Sequence, residues 1–282
     1  MEIDRIALYN DVSLLCSATT TQKYSTSFSL GTKLFSKDIQ EAIYSIYGFV
    51  RVADEIVDSF HSYNKEKLLT DFKNQTYEAI SERISTNPIL QSYQIAVNRY
   101  NIDKDLIDAF LKSMEMDLNP KAYNNQEIGE YIYGSAEVVG LMCLKVFCRG
   151  NQQEFDKLCS PAKKLGAAFQ KINFLRDIRD DYNDLGRVYF PGVDFNNFTQ
   201  KQKTEIEQDI QADFDEAFVG IKQLNRDSQL GVYVAYKYYT SLFKKIKRVS
   251  PNELLSKRYR ISNFKKITLL ACCWVVYKLR MV

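Results

Sequence analysis

The stretch Gln170-Lys-Ile-Asn173-Phe-Leu-Arg176-Asp177-Ile-Arg-Asp180-Asp181-Tyr-Asn-Asp184-Leu-Gly-Arg187-Val-Tyr189-Phe-Pro191 decides the reading of this 282-residue chain. Wound at 3.6 residues per turn, it brings Gln170, Asn173, Asp177 and Asp181 within an arc of about 80°, with Arg176 close by. The preceding Leu165-Gly-Ala-Ala-Phe169 is small and apolar, which suits a helix packed tightly inside a body. An acidic stripe on a buried helix needs compensation. A hard divalent cation supplies it: Mg²⁺ takes a few carboxylates and completes its shell with phosphate oxygens.

Tyr47-Gly-Phe-Val-Arg51-Val-Ala-Asp54-Glu55-Ile-Val-Asp58 repeats the device. Tyr47, Arg51, Asp54 and Asp58 share an arc of roughly 60°. Carboxylates one turn apart repel, so a helix gains nothing from them alone, while Arg51 is placed to fork onto a phosphate. Either stripe alone also matches a solvated acidic face with local arginine pairs. Two in one chain, each with an arginine in register, favour a shared site in which four carboxylates hold Mg²⁺ against a diphosphate. Metal and guanidinium would then stabilise the charge that develops as diphosphate leaves an allylic carbon.

The rest of the chain agrees with a helical body. Glycine (11) and proline (5) are scarce, which disfavours a many-stranded sheet. Apolar spacing of helical period predicts helices near 37–60, 64–85, 89–99, 103–117, 126–149, 153–183, 201–225, 228–248 and 262–279. Breaks are expected at Asn87-Pro88, Asn119-Pro120, Gly150, Ser160-Pro161, Gly186, Pro191-Gly192 and Ser250-Pro251, with Pro161 able to start a helix of its own. Residues 1–20 read as a lead-in, and 1–282 as one all-α domain ending in an apolar helix over 267–282.

The single histidine, His61, excludes a multi-histidine metal site and leaves metal chemistry to carboxylates. Six cysteines without a C-x-x-C pair, behind a charged N-terminus, fit free thiols in a reducing cytoplasm. From Lys244 to Val282 eleven basic residues face one acid (Glu253), a net +10. The remaining residues, 27 basic against 34 acidic, carry −7. That asymmetry predicts an anionic partner, a phosphate or an anionic membrane surface, against the alternative of a lysine-rich solvated face. Ile267–Val276 is apolar but too short to span a bilayer. It is read as a terminal helix packed on the core, with peripheral membrane contact as the further expectation. Clustering at one end without aromatic interleaving argues against nucleic acid.

In this order, these motifs resemble the squalene/phytoene synthase family. Arg51-x-x-Asp54-Glu55-x-x-Asp58 is similar to its first aspartate-rich motif, and Asn173-x-x-Arg176-Asp177-x-x-x-Asp181 with Gly186-Arg187-x-Tyr189-x-Pro191 to its second. Ser25-Thr-Ser27-Phe28, Met116-Asp117-Leu118 and Tyr131-x-Tyr133-Gly134-x-Ala136-x-x-Val139-Gly140 resemble three further family segments, so that the likeness runs from about Ser25 to Lys266.

The resemblance implies an all-α isoprenoid synthase fold around a deep cavity. The implied reaction is head-to-head condensation of two prenyl diphosphates through a cyclopropylcarbinyl diphosphate, most like phytoene synthesis from geranylgeranyl diphosphate in carotenoid biosynthesis. Farnesyl diphosphate leading to squalene or dehydrosqualene is the alternative, and a non-catalytic helical assembly protein a third. Asp54, Asp58, Asp177 and Asp181 are implied metal ligands assisted by Asn173, with Mg²⁺ expected, Mn²⁺ as the other hard ion, and no NADPH. Ser27, Phe28, Arg51, Gln170, Arg176, Arg187 and Lys265 are implied substrate contacts. Tyr47, Tyr131 and Tyr239 are placed at the reacting end, where ring faces stabilise cations, though each tyrosine also suits plain core packing. Ala136, Val139 and Gly140 would line the cavity. Glu55 stands where many members have Asp, and Glu137 and Ile132 depart from the cavity-helix pattern, so that Glu137 is expected to narrow or polarise the cavity.

Overall fold

The computed structural model describes residues 4–119, 123–184, 189–193 and 195–279, without the side chains of 179–184 and 196. The described residues contain helices and no strand. In chain order they are α1 (Arg5–Tyr24), α2 (Thr26–Thr32), α3 (Lys37–Asp58), α4 (Lys65–Glu82), α5 (Pro88–Tyr100), α6 (Lys104–Leu118) and α7 (Asn125–Ile132). A π-helical turn (Tyr133–Glu137) leads into α8 (Val138–Phe147), and α9 (Gln152–Asp184), α10 (Gln200–Ile221), α11 (Arg226–Ile246), α12 (Pro251–Ser256) and α13 (Asn263–Lys278) follow.

Most boundaries carry the expected chemistry. Asn87 caps α5 with Pro88 in its first turn, and Ser250 closes a capping box with Glu253 ahead of α12. Arg149 and Gly150 both adopt positive φ after α8. The breaks expected at Pro120 and Gly186 lie outside the described residues.

Three sequence expectations are corrected. Ser160-Pro161 breaks nothing: Pro161 lies inside the 33-residue α9. Its ring fills the space that a side chain at Gly220 of α10 would need, a Cβ there falling 2.3 Å from the Pro161 Cβ. The helix expected over 126–149 carries the π turn. Within the stretch read as a lead-in, residues 5–20 belong to the 20-residue helix α1 (Arg5–Tyr24).

That helix inverts the usual pattern. Ser13, Ser17 and Thr21 are fully buried, while Ile6, Leu8, Val12 and Leu15 are exposed. Ser17 Oγ meets Ser92 Oγ of α5 at 2.6 Å. Across from α3, a Cβ at Gly48 would lie 2.7 Å from the same Ser17 Oγ, so glycine sets how closely the two helices approach.

The core lies between α3, α5, α6 and α8. Phe49 stacks on Tyr93 at 3.9 Å, and the buried Tyr93 hydroxyl donates to Met142 Sδ at 3.3 Å. Against α9, α10 is held by Lys164 and Lys171, whose ammonium groups reach the buried Asp213 at 2.9 and 2.6 Å. α3, α8, α9 and α11 surround a cavity of about 350 Å³.

Candidate active site

The cavity is a shaft. Along α9 its wall is built by Leu158, Ala162, Gly166, Phe169, Gln170 and Asn173. Leu158 and Asn173 are fifteen residues apart, about 22 Å at 1.5 Å per residue. Opposite, Ala136, Val139 and Gly140 follow the π turn. The two walls approach through backbone: a Cβ at Gly166 would lie 2.7 Å from the Ala136 carbonyl oxygen. Where these two walls meet, small residues let the helix backbones approach, while larger apolar side chains such as Ile43, Ile46 and Leu144 line the rest.

At one end the lining turns polar. Ser27 and Phe28 of α2, Tyr47 of α3, Gln170 and Asn173 of α9, and Tyr239 of α11 converge there. Phe28 stacks on Tyr47 with ring centroids 4.9 Å apart, and Phe169 on Tyr239 at 3.8 Å. The Tyr239 hydroxyl donates to Asn173 Oδ1 at 3.4 Å. Burial pushes the pKa of both Tyr47 and Tyr239 up, so each hydroxyl stays protonated near neutrality. Tyr47 also feels Tyr239 across the cavity and Asp54 on its own helix, which ties the two acidic helices to one rim.

Each carboxylate motif is met by guanidinium. On α3, Arg51 bridges Asp54 and Glu55 of the following turn while its guanidinium carbon sits 4.2 Å over the Tyr24 ring. On α9, Arg176 forks onto Asp177 (Nε to Oδ1, 2.9 Å). A second fork comes from Arg258, between α12 and α13, with Nε 2.7 Å from Oδ1 and a terminal nitrogen 3.1 Å from Oδ2 of Asp177. Asp58 lies half-buried one turn beyond Asp54. Arg187 and the Asp181 side chain lie outside the described residues.

Asp54 and Asp58 on α3, Asp177 on α9 and the amide oxygen of Asn173 are the oxygen donors of the two motifs. Oxygen donors are the kind that Mg²⁺ takes; among the described residues no group of three acidic, cysteine or histidine side chains is placed to hold a metal ion.

Some expected residues stand elsewhere. Tyr131 is not in the cavity lining. It packs in a triangle with Tyr123 and Tyr189, at 5.3 and 5.4 Å, and its hydroxyl donates to Asp117 Oδ2 at 2.9 Å. Burial and the neighbouring Asp117 raise its pKa well above the usual tyrosine value. Simple helix geometry contains the warning: Tyr131 points about 140° away from Ala136 on a regular helix. Lys265 is exposed in the first turn of α13, and no contact joins its ammonium to the rim among the described residues. Glu137 does not narrow the cavity. It is absent from the lining and faces Lys163 and Lys164, with burial raising its pKa. Arg258, which does reach the rim, carried no signal in sequence beyond membership of the basic C-terminal cluster.

Comparison with known proteins adds the lineage. The squalene/phytoene synthase family profile matches residues 21–265. Phytoene synthase 1 of Zea mays is 27% identical over 277 residues, covering 88% of this chain and 65% of the maize protein. The chain thus spans about two thirds of the length of that relative. The 4,4'-diapophytoene synthase of Staphylococcus haemolyticus is 23% identical, with 86% of this chain and 90% of that protein covered. In three dimensions, a dehydrosqualene synthase superposes with TM-score 0.80 at 22% identity over 95% of this chain and 98% of the other, which shows the isoprenoid synthase fold. With its motifs brought to one rim and the profile spanning most of its length, the chain belongs to the squalene/phytoene synthase family.

Proposed function

We propose that this chain joins two geranylgeranyl diphosphates head to head, through prephytoene diphosphate, to give phytoene for carotenoid biosynthesis. The observation that carries the reading is the shaft of about 22 Å along α9, mostly apolar and turning polar at the end that lies one helical turn from the Arg51–Asp54 and Arg258–Asp177 pairs. A staggered carbon chain with single bonds of about 1.5 Å advances about 1.25 Å per bond, so four isoprene units need roughly 20 Å and three roughly 15 Å. The length favours C20 over C15.

Mg²⁺ held by Asp54 and Asp58 on α3 and by Asp177 and Asp181 on α9 would neutralise the departing diphosphate. Arg51, Arg176 and Arg258 already lie against those carboxylates and can turn to phosphate oxygens when substrate enters. The first substrate loses diphosphate with the C–O bonding pair. The double bond of the second substrate attacks the allylic cation, and proton loss closes the cyclopropane. A second ionisation, rearrangement and proton loss complete the hydrocarbon. Tyr47 and Tyr239 offer ring faces to these cations, and the apolar wall keeps water from quenching them.

Incubating the purified protein with Mg²⁺ and either farnesyl or geranylgeranyl diphosphate, with and without NADPH, tests this. The expected result is a C40 hydrocarbon from geranylgeranyl diphosphate, independent of NADPH. A C30 product from farnesyl diphosphate alone would move the protein to the branch represented by the diapophytoene synthase relative. No hydrocarbon from either substrate would leave the non-catalytic reading.

Peripheral membrane contact belongs to the same proposal. No described helix is long and apolar enough to cross a membrane. The outward side of α13 nevertheless exposes Phe264, Ile267, Trp274 and Val275, flanked by Lys265 and Lys278 and without an acid in the helix. Apolar residues with flanking cations suit an anionic bilayer surface. Trp274, the chain's only tryptophan, makes a built-in probe. Its emission should shift to the blue with phosphatidylglycerol vesicles and not with phosphatidylcholine vesicles, and equal silence with both would refute the contact.

A further inference from the structure

Helix α1 lies against α3, α5 and α2. Its buried stripe is Ser13, Ser17 and Thr21, and the fully buried Ser13 hydroxyl has no hydrogen-bond partner among the described residues. The apolar side chains point the other way. Leu8, Val12, Leu15 and Thr19 fall within an arc of about 60° centred opposite that stripe, and the first three are 53%, 46% and 64% exposed. A helix that turns hydroxyls inward and leucines to water is poorly matched to solvent, and such a face marks a surface that something covers.

Two charges point to the covering partner. The face consists of two rows at i, i+4 spacing, with Asp4, Leu8 and Val12 in one and Leu15, Thr19 and Lys23 in the other. Rows of this kind are the ridges through which helices pack on one another. One row begins with an acid and the other ends with a base. When α1 is laid antiparallel against its own copy, the first row of one chain runs beside the second row of the other. Val12 then meets Leu15, Leu8 meets Thr19 and Asp4 meets Lys23, and the two-fold axis repeats every pair. Asp4 caps α1 through Oδ1, which accepts from the amides of Ile6 and Ala7 at 3.0 and 3.2 Å, so Oδ2 is left for an ammonium. An anionic bilayer finds no such match, because Asp4 and Asp11 cancel Arg5 and Lys23 along the helix.

We propose that α1 is the seam of a homodimer: a second copy of this chain docks on Leu8, Val12 and Leu15 in an antiparallel, two-fold contact whose register is set by Asp4 and Lys23. A helix of this length is ~30 Å long and ~10 Å wide, so the contact buries on the order of 600 Å² counting both copies, below the ~1,000 Å² of a stable complex. The dimer is therefore weak and depends on concentration. It also bears on the cavity. Tyr24, the last residue of α1, covers the Arg51 guanidinium, and the next residue, Ser25, caps α2, whose Ser27 and Phe28 line the rim. Docking at α1 braces that wall.

Sedimentation velocity of the full chain from about 1 to about 200 µM reads the association, with folding of each variant checked by circular dichroism. The wild type should pass from monomer towards dimer across this range. Leu15→Glu, which sets a carboxylate from each copy into the apolar centre of the seam, should stay monomeric. Asp4→Ser keeps a capping hydroxyl and should weaken the dimer about threefold through the two lost pairs. Lys23→Glu, which sets acid against acid, should weaken it further. In the Lys23→Glu background the sign reverses: Asp4→Ser there removes the repulsion and should tighten association. A wild type that stays monomeric throughout would overturn the proposal, as would a dimer that a folded Leu15→Glu leaves intact. An Asp4→Ser effect of the same sign in both backgrounds would overturn the antiparallel register. A monomer whose binding to phosphatidylglycerol vesicles is lost in Leu15→Glu would give the face to a bilayer and overturn the dimer.

Discussion

The two acidic helices neutralise themselves in different ways. On α3 the compensation is local: Arg51 serves Asp54 and Glu55, three and four residues along the same helix. On α9 it is assembled from afar. Asp177 takes one fork from its neighbour Arg176 and another from Arg258, 81 residues later in the chain. The first half of the rim thus forms with its helix, whereas the second is complete only when the segment between α12 and α13 has folded over it. Both arrangements set an aspartate of the motif, Asp54 or Asp177, against a guanidinium.

The largest expected effect treats the halves alike. Asp54→Asn and Asp177→Asn should each lower turnover by about 10³-fold or more, with helicity by circular dichroism unchanged. A difference of more than tenfold between them would show that one helix carries the chemistry alone. Next comes the asymmetry itself. Arg258→Ala should cost about tenfold to a hundredfold in kcat/KM, the scale of a charged hydrogen bond lost, chiefly through KM. Arg258→Lys should recover only part, because an ammonium cannot fork. Recovery to wild-type values would mean that charge alone matters at this position.

Smaller is the response to metal. Mg²⁺ together with a non-ionisable prenyl diphosphate analogue should raise the melting temperature by roughly 5 °C at saturation, and Mg²⁺ alone by much less, since the arginines already occupy the carboxylates. Equal shifts would break the hand-over picture for both helices. Smallest of all is Glu55→Asp, expected to change turnover less than about twofold. Glu55 lies off the stripe that carries Asp54 and Asp58, and an aspartate there keeps a carboxylate for Arg51. A steady-state assay suffices to check it.

How much of this was legible beforehand follows from the same contrast. The period of 3.6 located the helices wherever an apolar stripe faces the core, as on α3 with Ile39, Ile43, Ile46 and Phe49. It missed α1 because the buried stripe there is Ser13, Ser17 and Thr21, hydroxyls that carry no hydropathy signal yet pack closely against glycine and serine. α2 and α12, at seven and six residues, are too short for any period to register. In the site, motifs contained in one helix were readable, which covers Tyr47, Arg51 and Asp54 as well as Gln170, Asn173 and Asp177. Residues that depend on tertiary closure were not. Arg258 reaches Asp177 only through the path of the chain between α12 and α13, and Tyr131 shares a motif with the cavity residues while pointing to the Tyr123–Tyr189 stack.

The close approach of Gly166 to the Ala136 carbonyl, and of Gly140 to the Ala162 carbonyl at 3.2 Å from its notional Cβ, has a mechanical consequence. Where backbone meets backbone there are no rotamers with which to yield. To widen there, whole helices must move apart, and close-packed interiors resist that. This side of the shaft is therefore stiff, and the spacing of its two helices should vary little with temperature.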